Sequence, residues 1–199
     1  MEKIIINTDS SRSEILVGER WDLVGELLPK RGVVIITDCN VNKIYGHSFP
    51  HFPVFEIQPG EESKKLKTVE SLARKMLDAG VDRSGFILSI GGGVVSDIAG
   101  FLASIYMRGI RFASISTTLL SQVDASTGGK NGVNLGKIKN ILGCFRQPEF
   151  VICDTEMLKT LPDEEYYSGL AELIKTAVIG SERLFELIEN NAKKHKQGS

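Results

Sequence analysis

Short apolar runs separated by polar, glycine-containing junctions recur along the chain, and their period switches repeatedly between that of a strand and that of a helix. Ile4-Ile5-Ile6 and Ile15-Leu16-Val17 predict an opening strand pair, followed by a short amphipathic helix from Trp21 to Leu28 that Pro29 halts. Val33-Val34-Ile35-Ile36-Thr37 is an uninterrupted apolar strand, and Val54-Phe55-Glu56-Ile57 is another. A helix is expected from about Thr68 to Asp78, ended by Gly80. Phe86-Ile87-Leu88-Ser89-Ile90 reads as a buried parallel strand, and Val94, Ile98, Phe101, Leu102 and Ile105 form the stripe of the helix after it. Arg111 to Ser116 and Phe150 to Asp154 supply the remaining strands. Strands alternating with helices at this rhythm predict an α/β fold with a doubly wound, mostly parallel, Rossmann-like sheet whose functional loops share one edge.

The pattern changes at Leu161-Pro162, where strands stop and two helices follow, from about Asp163 to Ile179 and from about Glu182 to Asn191. Two amphipathic helices rarely cover their own apolar stripes. They imply either an oligomer contact or the first helices of a truncated α-helical domain. The expected division is therefore an α/β domain over 1–160 and an incomplete helical domain over 161–199.

Polar residues collect where the apolar strands end. Gly91-Gly92-Gly93 lies at a strand-to-helix junction, where missing Cβ atoms allow close backbone approach and helix N–H groups favour an anion such as a pyrophosphate. A tight turn with Asp97 capping the first helical turn explains the same residues. Asp38 and Asn40 follow the Val33–Thr37 strand, where a carboxylate suits a ribose diol and repels a 2′-phosphate, which favours NAD over NADP. Asp38 is equally suited to cap the next helix. Glu61 and Lys64 are one helical turn apart and form either a solvated ion pair or a clamp on a nucleotide sugar. Thr117 and Thr118 place two hydroxyls at a further strand end, before a short helical turn from Thr118 to Val123. Asp124 to Asn134 reads as a glycine-rich polar loop of the kind that carries chemistry, with Lys137, Lys139 and Asn140 close behind it. Glu172 and Lys175 share a helix face and, taken alone, read as a surface salt bridge.

Composition narrows the partners. A formal charge of −1 with acids and bases interspersed argues against nucleic acid or a membrane surface. No apolar run approaches membrane-spanning length and no targeting pattern opens the chain. Three cysteines, Cys39, Cys144 and Cys153, match no metal or disulfide spacing and imply a reduced, cytoplasmic setting. Pro50 separates His47 from His51, so both are read as loop residues.

Taken together, Gly91-Gly92-Gly93-Val94-Val95-Ser96-Asp97-Ile98-Ala99-Gly100-Phe101, Tyr106-Met107-Arg108-Gly109, the segment from Thr117 to Ser126, Gly128-Gly129-Lys130, Lys139-Asn140, Gln147-Pro148 and the segment from Ser168 to Lys175 resemble 3-dehydroquinate synthases. These stretches run in family order from Asp38 onward. The resemblance implies an NAD-holding α/β domain, a helical domain holding a divalent metal, zinc or cobalt, and a homodimer. It implies conversion of a heptulosonate phosphate to 3-dehydroquinate and phosphate, with NAD reduced and restored in each cycle. By resemblance, Asp38, Asn40, Glu61, Lys64, Gly92, Gly93, Asp97, Thr117, Thr118, Lys139 and Thr160 surround the cofactor. Asp124, Lys130, Asn140 and Lys175 face the substrate, and Arg108 of a neighbouring subunit binds the departing phosphate. Glu172 becomes a metal ligand, a role that displaces its salt-bridge reading.

Catalytic zinc usually takes three protein ligands, and the family's two histidines lie farther along the helical domain than Ser199. The chain alone is therefore expected to bind NAD without stoichiometric metal and not to turn over. Asn131, Arg146 and the Lys137-Ile138 step depart from common family choices. Cyclases making valiolone or inosose products share the glycine run and the Glu172 helix, as glycerol dehydrogenases do more distantly; Lys130 with Lys139-Asn140 favours dehydroquinate synthase. A non-catalytic NAD-binding protein is the alternative from another class.

Overall fold

The computed structural model describes residues 2–8, 12–125 and 128–197. Its strands are β1 (Glu2–Asn7), β2 (Arg12–Val17), β3 (Val33–Asp38), β4 (Val54–Ile57), β5 (Phe86–Gly91), β6 (Arg111–Ser116), β7 (Lys130–Leu135), β8 (Ile138–Phe145) and β9 (Phe150–Cys153). The α-helices are α1 (Cys39–Tyr45), α2 (Leu66–Asp78), α3 (Gly93–Ile105), α4 (Asp163–Gly180) and α5 (Glu182–Gln197).

Seven strands form one sheet in the order β1-β2-β9-β6-β5-β3-β4. Only the edge pair β1 and β2 is antiparallel. All residues of β3 and β5 are buried, as expected of central parallel strands covered on both faces. Alternate residues serve opposite layers. Val33, Ile35 and Leu88 face Trp21, Val24 and Phe49, whereas Val34, Ile36 and Ile87 face α2 and α3 through Leu72, Met76 and Ile98. Burying each such side chain contributes roughly 1.5–3 kcal/mol, which holds helices on both sides of the sheet. The doubly wound fold predicted from the pattern is the one observed. Among the described residues no helix is long and apolar enough to cross a membrane.

The strand path reverses at one place. From β3 the chain crosses outward to β4, and from β4 it returns to the other side of β3 as β5, before continuing to β6 and β9. This is the switch point at which open α/β sheets bind ligands, at the carboxyl ends of β3 and β5.

Several expectations are corrected. Trp21–Glu26 is a 3-10 helix, too short and too glycine-weakened at Gly25 to wind a stable α-helix. The expected turn after Thr118 continues as a π-helical turn at Ser121–Ala125. The expected loop from Asp124 to Asn134 contains β7, which pairs with β8 as a separate antiparallel hairpin. Gly132 faces Gly143 across it, and a Cβ on either would lie within 2.8 Å of partner backbone. These glycines serve close strand contact, not loop flexibility. Val133 is fully buried and pins the hairpin to the cluster around α3.

The helix α4 docks on the turn after β6 through Gly169, whose Cβ would sit 2.6 Å from Leu119 Cβ and Leu120 N. Beyond that contact the apolar residues Val178, Ile179 and Leu187 of α4 and α5 are exposed. Substituting Gly169→Ala should force α4 off this turn and lower stability by about 1–3 kcal/mol in a denaturation experiment followed by circular dichroism. Unchanged stability would show that the close contact is absent.

Candidate functional site

Each strand ending at the switch point contributes differently. Asp38 closes β3 and caps α1, its Oδ1 accepting the N–H groups of Asn40 at 2.9 Å and Val41 at 3.0 Å. This fixes the carboxylate at the sheet edge with Asn40 beside it. After β5 the chain turns through Gly91 and Gly92 into α3, and Thr117 N donates to Gly91 O at 3.0 Å. A Cβ on Gly92 would lie 2.9 Å from Thr118 Cγ2, so the threonines of the β6 end pack directly against the glycine turn. Gly92 O accepts from Val95 N at 3.0 Å and Ser96 N at 3.1 Å, so α3 starts at this turn and its positive dipole end faces this edge. Gly92, Gly93, Thr117 and Thr118 thus form one cradle.

The expected reading of Asp97 as a cap of α3 is not observed, because Gly92 holds the cap position without a side-chain bond. Asp97 instead pairs with Lys64 Nζ at 2.6 Å. Lys64 Nζ also donates to Asn140 Oδ1 at 2.5 Å, and Lys64 is only 4% exposed. Lys64 is therefore neither a solvated partner of Glu61 nor a free cation. Glu61 Oε1 accepts from Asn134 Nδ2 at 2.9 Å, and Asn134 Oδ1 accepts the N–H of Asn140 at 2.8 Å. Burial pushes the Asp97 carboxyl above its ordinary value, partly offset by Lys64, which favours the charged form.

The hairpin forms one wall of an open pocket of about 500 Å³ beside this network. Asp97, Asp124, Lys130 and Asn140 line it, with Ile141 and Phe145 supplying apolar surface. The helix α4 packs on the turn that carries Asp124 and brings Lys175 within electrostatic reach of that carboxylate. Lys175 is ion-paired with Glu172, which together with Asp124 holds its ammonium above the ordinary value.

Other expected residues lie apart. Lys137 and Lys139 are exposed, and neither lines the pocket. Thr160 hydrogen-bonds to Tyr45 Oη at 2.6 Å, near the far end of α1 from Asp38. Arg108 follows α3, whose 13 residues carry it about 20 Å from the glycine turn, toward the opposite sheet edge. Met107 and Arg108 there adopt φ of 48° and 71°. His47 lies in a 3-10 turn and His51 in a bend, as loop residues. Asn134 went unrecognised as a site residue because its side-chain partner Glu61 is 73 residues away and gives no local signal.

A doubly wound parallel sheet with a glycine cradle and a buried acid–lysine pair at its switch point defines an α/β ligand-binding domain of the dinucleotide-binding type. The family described as 3-dehydroquinate synthase N-terminal matches residues 54–168, which span β4 to the start of α4. The chain belongs to the 3-dehydroquinate synthase family. It is 44% identical to the 3-dehydroquinate synthase of Alkaliphilus metalliredigens over 205 residues, covering 96% of this chain and 56% of that protein. The solved 2-epi-5-epi-valiolone synthase of Streptomyces hygroscopicus subsp. jinggangensis, with NAD+ and Zn2+ bound, matches with a TM-score of 0.85. That match has 30% identity and covers 95% of this chain and 56% of that one. A 2-deoxy-scyllo-inosose synthase complexed with carbaglucose-6-phosphate, NAD+ and Co2+ matches with a TM-score of 0.78 at 27% identity, over 88% of this chain and 51% of that one. The chain therefore spans little more than half the length of these relatives.

The glycine cradle, the flanking threonines and a fixed carboxylate fit a dinucleotide. The residues do not complete a metal centre: among the described residues no group of three or more His, Cys, Asp or Glu is placed to hold an ion. Glu172 is instead satisfied by Lys175.

Two outcomes check the network. Lys64→Ala leaves Asp97 buried without its cation and should cost about 3 kcal/mol in urea denaturation, the lower end for a broken buried pair because Asp97 keeps some exposure. The Asp97 carboxyl, followed by carbon-detected NMR, should titrate above 3.8, and higher still in Lys64→Ala. The folded chain then holds a proton that the unfolded chain has released. This group's contribution to stability is present below pH 3.8 and is lost as pH rises through the raised folded value. A midpoint at or below 3.8 would show that the Lys64 charge outweighs burial at Asp97, contrary to this reading.

Proposed function

We propose that this chain is the nucleotide-binding part of a 3-dehydroquinate synthase, a carbon–oxygen lyase of aromatic amino-acid biosynthesis through the shikimate pathway. The whole enzyme converts 3-deoxy-arabino-heptulosonate 7-phosphate to 3-dehydroquinate and phosphate. The observation that carries this reading is the shared pocket of Asp124, Lys130 and Asn140 beside Asp97, within a domain that belongs to this family.

NAD, when bound, supplies a hydride acceptor that later returns the same hydride. Gly92 and Gly93 bring backbone N–H groups to its pyrophosphate, with Thr117 and Thr118 alongside, and Asp38 and Asn40 take its ribose hydroxyls. Glu61, Lys64 and Asp97 complete the proposed cofactor set; Lys139 and Thr160, which lie apart from the pocket in this chain, join it by resemblance alone. Lys130 and Lys175 place positive charge where a substrate carboxylate and developing alkoxide charge gather, and Asp124 and Asn140 orient hydroxyl groups. Glu172 is proposed as the single donor from this chain to a divalent metal. Arg108 follows α3, at the far end of that helix from the glycine turn, and is proposed to bind phosphate in a second copy and hence to imply a homodimer. Three free cysteines, none disulfide-bonded, support a cytoplasmic setting.

The likeness to valiolone and inosose synthases favours one second reading, a related sugar-phosphate cyclase. Lys130 together with Lys139-Asn140 supports dehydroquinate synthase over it.

Calorimetric titration of the chain with NAD should show saturable binding, weakened about tenfold or more, about 1.4 kcal/mol, by Gly92→Val, whose branched side chain starts 2.9 Å from Thr118 Cγ2. The same chain should release no phosphate from the heptulosonate phosphate. Absence of NAD binding, or turnover by these 199 residues alone, would overturn the proposal.

A further inference from the structure

We infer that Asn134 is a positioning residue that joins the turn carrying Glu61 and Lys64 to the hairpin carrying Lys130 and Asn140, so that occupancy at the switch point is felt by the hairpin. The inference rests on the nucleotide reading of the site and extends it to a residue with no role so far.

The geometry is specific to an amide at this position. Asn134 Oδ1 accepts a backbone N–H, that of Asn140, at 2.8 Å. Its Nδ2 donates to the carboxylate of Glu61 at 2.9 Å. The two partners fix the orientation of the amide, because one offers only a hydrogen and the other only lone pairs. Asn134 N donates to Lys64 O at 2.8 Å, and Asn134 bridges Lys65 in parallel pairing, so the backbone joins the same two elements. The bond to Asn140 N supports a residue at φ 54°, a strained conformation for a side chain larger than glycine. Held there, Asn140 turns Oδ1 to Lys64 Nζ at 2.5 Å, and Lys64 pairs with Asp97 on α3. The result is a closed ring through Glu61, Asn134, Asn140 and Lys64, with an acid of the cofactor side on one arc and a pocket residue on the other. A two-stranded hairpin is marginal alone, so its order depends on such ties.

Leucine removes both side-chain bonds. Aspartate keeps the acceptor for Asn140 but sets a carboxylate against Glu61, a repulsion relieved when acid puts a shared proton on the pair. Glu61, Lys64 and Asp97 are the charged groups facing this amide or its partners. A wild-type series at each pH subtracts their own titration.

The experiment is hydrogen exchange by mass spectrometry with and without NAD, paired with NAD titration, on wild type, N134L and N134D. In the wild type NAD should slow exchange across 130–145. In N134L NAD should still bind but no longer protect the hairpin. In N134D affinity at pH 7 should fall about tenfold and recover near pH 5. NAD-dependent protection retained in N134L, or no acid recovery in N134D, would overturn the role of Asn134. If the wild type does not bind NAD, the nucleotide reading fails, and exchange without ligand still decides the coupling. Faster exchange of both 61–65 and 130–145 in N134L would support it, and faster exchange of the hairpin alone would overturn it.

Discussion

A lysine ammonium taken out of water costs several kcal/mol unless it is paired and hydrogen-bonded. Lys64 meets that condition through two groups that come from different parts of the chain, Asp97 of α3 and Asn140 of β8. Neither group serves unless the hairpin lies against α3 and the turn before α2 lies over both. One buried charge thereby ties three elements together. Val133 supplies the hydrophobic half of the same attachment. The polar half leaves Asp97 poised at a raised value, at the edge of the pocket that holds Asp124 and Lys130.

The parallel sheet decides what this attachment is near. Parallel strands all end on one edge, and the reversal between β3 and β5 opens that edge where Asp38, the glycine turn and Thr117 arrive together. The helix after the glycine turn leads away from it, so residues following α3 lie toward the other edge. Arg108 is the consequence: its backbone is held in the left-handed region after α3, remote from the cradle that begins the same helix. A single copy of the domain thus presents a dinucleotide-type cradle on one side and a basic turn on the other. That separation underlies the proposed use of Arg108 across a dimer.

The central strands, the glycine junction and the capping role of Asp38 were legible because each is written in contiguous residues. Val33 to Thr37 has no polar interruption, and a glycine run between an apolar strand and a helical stripe has few other uses. The hairpin was not legible, because Gly132 and Gly143 resemble loop residues until they are seen facing one another. The partners of Lys64 were not legible for a related reason. Its neighbour in sequence, Glu61, suggested a local pair, whereas its real partners are 33 and 76 residues away. The segment after Trp21 has the apolar spacing of a helix, but it is only six residues long and winds as a 3-10 helix. At Glu172 the chain shows an ion pair with Lys175, the reading its spacing alone supports, while its proposed metal role depends on resemblance.

The exposed apolar residues of α4 and α5 form a second region, separate from the residues that line the pocket described. They leave the account resting on the sheet edge, where a dinucleotide should bridge β3, the glycine turn and β6. The most direct measurement is an amide chemical-shift map of the chain on addition of NAD. Perturbations should concentrate at Asp38, Asn40, Gly91 to Gly93, Thr117 and Thr118, leaving Arg108 to Arg111 at the opposite edge unchanged. Shifts centred on that opposite edge would contradict the account.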